Sequence, residues 1–244
     1  MPPRTPNPEY PMPKEIERRA QKALLSWSGG KDSAMALHEI LKSKEFEIAA
    51  LLTTVTMDYD RISMHGVRRT LLQRQAESLG LTLEELFITK NATNAEYETS
   101  LAKCLTRYRD AGITTVVFGD IFLEDVRLYR EERLTPLGMH AIFPLWKRDT
   151  GVLAHGFIAA GFRAVTTCID TKVLGEKFSG REFDEQFLAD LPPGIDPCGE
   201  NGEFHSFVYD GPIFSRPIAF TPGEKVFREE RFCYCDLVPG VSRE

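Results

Sequence analysis

Six consecutive residues, Ser28-Gly29-Gly30-Lys31-Asp32-Ser33, combine the groups that hold an anion. The apolar run "ALLSW" leads into them and a helical pattern follows, so they lie where a strand turns into a helix. The first amides of a helix are unpaired, and its macrodipole favours negative charge there. Gly29 and Gly30 let the backbone approach a ligand with no β-carbon in the way, Lys31 adds a point charge, and Ser28 and Ser33 add hydroxyl donors. Phosphate is the anion this chemistry fits. The loop is not a Walker A motif, which needs four residues between its first glycine and a Gly-Lys pair, nor is it a dinucleotide fingerprint. The alternative is an ordinary strand-to-helix turn in which Asp32 complements the helix dipole.

A second group is Cys198-Gly199-Glu200-Asn201-Gly202-Glu203, two glycines and two carboxylates in a loop that leads into a strand. By composition alone it is an acidic turn. Arg127 and Glu131 lie four apart and share a helix face, and the alternative to a substrate contact is a surface ion pair worth little. His65 follows the long second strand, where it either reaches the site as a donor or base or caps the next helix. His38, His140 and His155 lie in apolar helical or strand runs and read as structural. Cys233 and Cys235 would share one face of a strand, but no second pair is near to complete a zinc site.

These residues need a frame. Five β-rich runs, "ALLSW", "FEIAALLTTV", "EELFI", "TTVVFG" and "HAIFPL", alternate with helical periods over Asp32–Ser43, Val67–Leu79, Asn94–Asp110 and Glu124–Leu137. This alternation predicts an α/β fold with a doubly wound, mostly parallel five-stranded sheet over residues 19–146. After Trp146 a helix in "GVLAHGFIAAG", a strand in "RAVTTCID" and a Gly-rich stretch predict a smaller α+β domain over residues 147–244. Six of the 15 prolines fall in "MPPRTPNPEYPMP", so residues 1–18 are expected to be a disordered or loosely docked tail.

The 244 residues, 42% of them hydrophobic, suffice for an ordinary core. With 30 Lys and Arg against 36 Asp and Glu the formal charge is −6, and no basic block stands out, which argues against nucleic acid as the main partner. No apolar run approaches the roughly 20 residues of a membrane span, and no signal peptide is visible. The five scattered cysteines suit a reduced compartment. A cytoplasmic protein is expected, with a homodimer as the default assembly.

"SGGKDS" resembles the PP-loop of the ATP pyrophosphatases, whose sheet is of the Rossmann type. "FGDIFLEDVRLYREE", "PLWKRD" and "CGENGEFHSFVYDGPIF" resemble, in that order, signature segments of the diphthine–ammonia ligase family. The resemblance covers most of the chain from about Lys22 to Phe214. It implies that ATP adenylates a substrate carboxylate with loss of pyrophosphate, that ammonia then displaces AMP, and that Mg²⁺ accompanies the nucleotide. Ser28, Gly29, Gly30, Lys31, Asp32 and Ser33 match the pyrophosphate loop, with Lys31 and Asp32 in catalytic roles and Asp32 as a possible Mg²⁺ ligand. Ligands of open α/β sheets bind at the carboxyl ends of the strands beside the switch point, so Thr53 and Thr54 should border the adenosine. Gly119 should let the nucleotide lie close to the backbone or merely end a strand.

Arg127, Glu131, Gly199, Gly202, His65 and His205 are then expected beside the acceptor, a small-molecule or protein-borne carboxylate. Glu200 and Glu203 would bind Mg²⁺, orient ammonia or meet a cationic group of the substrate. Asp210 and Pro212 complete the pattern. Against the eukaryotic members the chain departs at His205, where an acidic residue is expected, at Leu123 and Glu124 in place of Ser-Asp, and at Tyr129 in place of arginine. These departures leave the acceptor open. The C-terminal domains fused to larger members are not expected here. Other readings are a PP-loop enzyme acting on a tRNA base and a non-catalytic ATP-binding switch.

Overall fold

The computed structural model describes residues 20–63 and 65–240; the Pro-rich segment 1–18 lies outside them. Strand β1 (Gln21–Ser26) pairs in parallel with β2 (Phe46–Thr56) on one side and β5 (Thr115–Val117) on the other. β4 (Leu83–Ile88) flanks β2 and β6 (His140–Ile142) flanks β5, both in parallel. The five parallel strands therefore run β4-β2-β1-β5-β6, and the order reverses between β1 and β5. A sixth strand, β3 (Arg61–Ile62), is only two residues long and carries no alternation the sequence could show. It folds back antiparallel on the end of β2, pairing Val55 with Ile62 and Thr56 with Arg61.

Alternation along β1 explains the winding. Ala23 and Leu25 bury on one face with residues of α1 (Lys31–Ser43) and α2 (Arg69–Leu79), while Leu24 buries on the other with residues of α3 (Asn94–Asp110) and α4 (Glu124–Leu134). Local signals set the helix ends. Thr93 and Glu96 form a reciprocal capping box at α3, and Gly80 closes α2 in the left-handed region. The helical period that the sequence carries to Leu137 ends at Leu134 as α-helix and tightens into a 3₁₀ turn over Thr135–Leu137.

The second region holds α5 (Thr150–Ala159), β7 (Arg163–Asp170), the short α6 (Glu185–Ala189), β8 (Phe204–Asp210), β9 (Phe220–Arg228) and β10 (Phe232–Pro239). Its strands form an antiparallel sheet in the order β8-β7-β10-β9. Phe157, Phe183, Phe187 and Phe204 bury in the same cluster as Leu25, Trp27 and Leu37 of the first region. Cys233 and Cys235 are buried, and all five cysteines are free thiols. Among the described residues no helix is long and apolar enough to cross a membrane.

Candidate nucleotide site

The Ser28–Ser33 loop caps the carboxyl end of β1 at the point where the strand order reverses. Gly29 has φ +78, and a β-carbon there would stand 2.7 Å from Gln75 Oε1, so the position needs glycine on both counts. Gln75 is fully buried and acts as a bracket. Its Nε2 donates to the carbonyls of Gly29 (3.0 Å) and Val208 (2.6 Å), and its Oε1 accepts from Trp27 Nε1 (2.9 Å). The Val208 amide donates to the Gly29 carbonyl at 2.9 Å, and the Lys31 amide donates to Ser206 Oγ at 3.2 Å. The phosphate loop is thus moored to β8 of the second sheet.

Gly30 precedes α1 in extended conformation and has no side chain to cap the helix; with the Lys31 amide taken by Ser206 Oγ, the Asp32 and Ser33 amides are the first-turn donors left to an external anion. Lys31 is 4% exposed, and its Nζ lies 2.8 Å from both oxygens of Asp32. Burial works against the ammonium, but the Asp32 carboxylate outweighs it and holds the Lys31 pKa above its ordinary value. The lysine enters the site charged. Ser33 donates to the Gly30 carbonyl, and Ser28 sits 3.3 Å from Ser33.

Two adjoining cavities open at this edge. One, of about 230 Å³, is lined by Ser28, Gly30, Lys31, Asp32 and Ser33, by Gly119 and Asp120 after β5, and by Gly199, Glu200, Gly202 and His205. The other, of about 390 Å³, is mostly apolar and takes in Thr53, Thr54, Tyr97, Tyr129 and Arg133. Ser26, Ser28, His65, Phe118 and Arg130 border both. A polar compartment sized for phosphates therefore joins an apolar one sized for a nucleoside. Thr53 Oγ1 is buried without a hydrogen-bond partner in the protein, as a ligand-binding hydroxyl would be. The donors and the space fit ATP. Among the described residues no three His, Cys, Asp or Glu side chains converge to hold an ion. Asp32 is the carboxylate that the loop itself brings into the polar compartment, and Mg²⁺ takes one or two carboxylates beside phosphate oxygens and water.

The cleft gathers most of the residues expected there, but not all. Arg127 and Glu131 form a half-exposed i,i+4 pair at 2.8 Å, with Arg127 over the Trp146 ring at 4.7 Å, and neither lines the cavities. The inward face of α4 carries Val126, Arg130 and Arg133 instead. Arg130 lies over Phe118 and is held by Asp120 at 2.8 Å. Spacing offered a signal for it, since Arg130 stands four before the buried Leu134. Glu203 is also outside the cavities. Its Oε1 accepts from the Asp196 amide (3.1 Å) and Asn201 Nδ2 (3.0 Å), which folds the 196–203 loop over itself. Gly119 does permit a close approach, but to the protein's own backbone: a β-carbon there would stand 2.8 Å from the Asp32 carbonyl carbon. The Cys198 thiol is buried, donates to the Thr150 carbonyl and is pushed up to about 12 by burial. It is inert as a nucleophile at neutral pH.

Glu200 reaches across the cleft and accepts from the Ile121 amide at 2.7 Å. Burial raises its pKa to about 7, against the pull of that amide. His65 and His205 stand with ring centroids 4.4 Å apart. Burial, then each other's proximity and Lys31, hold His65 well below its ordinary value; burial and Lys31 bring His205 to about 4. Both imidazoles are neutral at pH 7. Of the departures from the eukaryotic pattern, His205, Leu123 and Tyr129 line the cleft, whereas Glu124 pairs with Lys147 on the surface.

Residues 21–141 match the family model described as diphthamide synthase N-terminal domain, and residues 149–240 the one described as diphthamide synthase C-terminal domain. The chain belongs to the diphthamide synthase family. It is 25% identical over 221 residues to the diphthine–ammonia ligase of Schizosaccharomyces pombe, covering 82% of this chain and 36% of that protein. It is 25% identical over 224 residues to the one of Danio rerio, covering 83% and 88%. The chain thus spans about a third of the yeast relative's length and most of the fish relative's. Among solved structures, the U34-tRNA thiolase NcsA from Methanococcus maripaludis with its [4Fe-4S] cluster aligns at a TM-score of 0.36 and 16% identity, over 59% of each chain.

Proposed function

We propose that the chain is an ATP-dependent amide-forming ligase of the diphthine–ammonia ligase type. The observation that carries this reading is the moored Ser28–Ser33 loop, with its charged, buried Lys31, facing a polar compartment that joins a nucleoside-sized one. In the first half-reaction an oxygen of the acceptor carboxylate attacks the α-phosphorus. The bond to the β-phosphate oxygen breaks, and pyrophosphate leaves into the loop, where the amides and Lys31 stabilise its charge. In the second half-reaction the nitrogen of ammonia attacks the acyl carbon, the C–O bond breaks, AMP leaves with the electron pair, and nitrogen loses a proton.

Each residue has a positioning or electrostatic role, and no side-chain nucleophile is needed. Arg130, at the junction of the two compartments, meets the α-phosphate. Thr53 and Thr54 border the nucleoside. Asp32 would reach Mg²⁺, which supplies charge neutralisation at the phosphates when bound. The names of the relatives make diphthine and ammonia the first substrates to test, and the departures at His205, Leu123 and Tyr129 make the acceptor's identity the open variable. The same reading divides the chain near residue 146 into an ATP-binding and a substrate domain. It places the protein in the cytoplasm, in keeping with five free cysteines.

The test is the nucleotide product when the protein is incubated with ATP, Mg²⁺, ammonium and candidate acceptors. Acceptor-dependent AMP and pyrophosphate are expected. ATP that is bound but stays intact, or yields only ADP, would sink the adenylation mechanism.

A further inference from the structure

A nucleotide laid across the two compartments puts its nucleoside in one, its β- and γ-phosphates in the other and its α-phosphate in the neck between them. Arg130 and His65 both border that neck. Arg130 belongs to α4, on the β5 side of the switch point, and is held by Asp120 at 2.8 Å. His65 comes from the β2 side, on the turn between β3 and α2. The strand order therefore sets the two on opposite flanks of β1. The turn that carries His65 is clamped to β10. Arg61 Nη1 donates to the Gly66 carbonyl at 2.7 Å and to Asp236 at 2.8 Å, and Arg68 grips the same carboxylate at 2.6 Å. Gly66 has φ +68, and a β-carbon there would stand 2.7 Å from the Tyr234 ring, so the turn sits flush on that strand.

The imidazole so presented lacks a partner on one side. His65 Nδ1 is buried without a hydrogen bond in the protein. A buried N–H with no acceptor is a costlier orphan than a bare lone pair, so the proton of this neutral ring belongs on Nε2. The sequence leaves His65 a donor or a base; this tautomer makes it a donor. A donor meets a phosphate oxygen, and it cannot take the proton that ammonia sheds. The His205 ring packs beside it, with centroids 4.4 Å apart, on β8 one residue before the Ser206 that moors the phosphate loop. We infer that His65 donates from Nε2 to a non-bridging oxygen of the α-phosphate, across the neck from Arg130, with His205 fixing its ring. His65 is then a catalytic residue of the adenylation step, because the transition state spreads charge over the oxygens of the phosphorus under attack. His205 is a positioning residue.

This inference rests on the nucleotide placement of the ligase reading, and its test separates the two. The probes are adenosine, AMP and pyrophosphate, each titrated by calorimetry into the full chain at neutral pH. AMP carries the α-phosphate, and the other two lack it. His65→Phe should weaken AMP about tenfold, the scale of one hydrogen bond to a charged group, and leave adenosine and pyrophosphate within about twofold. His65→Gln keeps an N–H donor and should recover most of the AMP affinity. In histidine-¹⁵N spectra of the wild-type chain, the His65 Nε2–H signal should shift with AMP and not with adenosine, a readout that needs no variant. A signal blind to AMP would overturn the contact, as would wild-type AMP affinity in His65→Phe or equal losses for AMP and adenosine. The expected pattern together with no acceptor-dependent AMP release from ATP would keep the contact and sink the ligase reading. Failure of the wild-type chain to bind any of the three probes would remove both.

Discussion

Two glycine-rich loops face each other across the cleft and are built on different principles. Ser28–Ser33 is fixed through its backbone: β8 and the Gln75 bracket hold the Gly29 carbonyl, and no titratable side chain takes part in that mooring. The 196–203 loop is fixed through carboxylates, with Asp196 receiving the Glu200 amide, Glu203 receiving the Asp196 amide, and Glu200 tying the loop to Ile121. The first is a cradle of constant shape, and the second can respond to charge. On the ligase reading proposed above, a phosphate bound the same way every turnover is matched to the first. A substrate that must enter and leave is matched to the second.

The contrast can be broken from the cradle side first. Lys31→Ala should lower acceptor-dependent pyrophosphate release by about 100- to 1,000-fold, the scale for losing one preorganised charge partner, while circular dichroism stays native. Wild-type single-turnover rates would remove the lysine from the mechanism. Gln75→Ala leaves Trp27 Nε1 and the Val208 carbonyl without their partner and should cost about 3 kcal/mol in urea unfolding, with a matching loss of ATP-analogue affinity. Stability lost with affinity kept would show that the bracket serves the core alone. On the other side, Glu203→Ala should cost about 2 kcal/mol and raise amide exchange mainly over residues 196–203, leaving the phosphate loop protected.

The smallest effect sharpens the comparison through pH. The Glu200 pKa is raised in the folded state from 4.5 to about 7, so the folded state holds that proton more tightly than the unfolded one. Its contribution is fully present below about 4.5 and is lost as pH rises through about 7. Glu200→Gln keeps an oxygen for the Ile121 amide and cannot ionise. Its melting temperature should match wild type at pH 4.5 and exceed it at pH 8. A constant difference across that range would mean that the carboxylate is solvated and the loop is not charge-responsive.

What the sequence shows of this molecule follows the same division. The phosphate loop, the five parallel strands, α3 and β7 are written in local patterns: paired glycines at a strand end, alternation, a capping box. β9 is hidden because Pro222, Gly223 and Lys225 read as loop, and only pairing with β10 makes them a strand. The inward face of α4 is not legible in the sequence because Arg127 and Glu131 form a complementary i,i+4 pair, whereas Arg130 finds its carboxylate ten residues away in Asp120. Glu203 looked like a cleft carboxylate because nothing in its spacing shows a backbone amide seven residues earlier in the chain waiting for it.

The mooring of the phosphate loop on β8 also sets an order of events during synthesis. The parallel sheet pairs only strands up to Ile142, but the partners of Gly29 and Lys31 in the second sheet are Val208 and Ser206, and β10, which completes that sheet, follows them in the chain. A nascent chain can hold a finished sheet while its nucleotide loop still lacks its anchor. The cradle is therefore completed late, and a chain stalled before residue 204 would carry the motif without it.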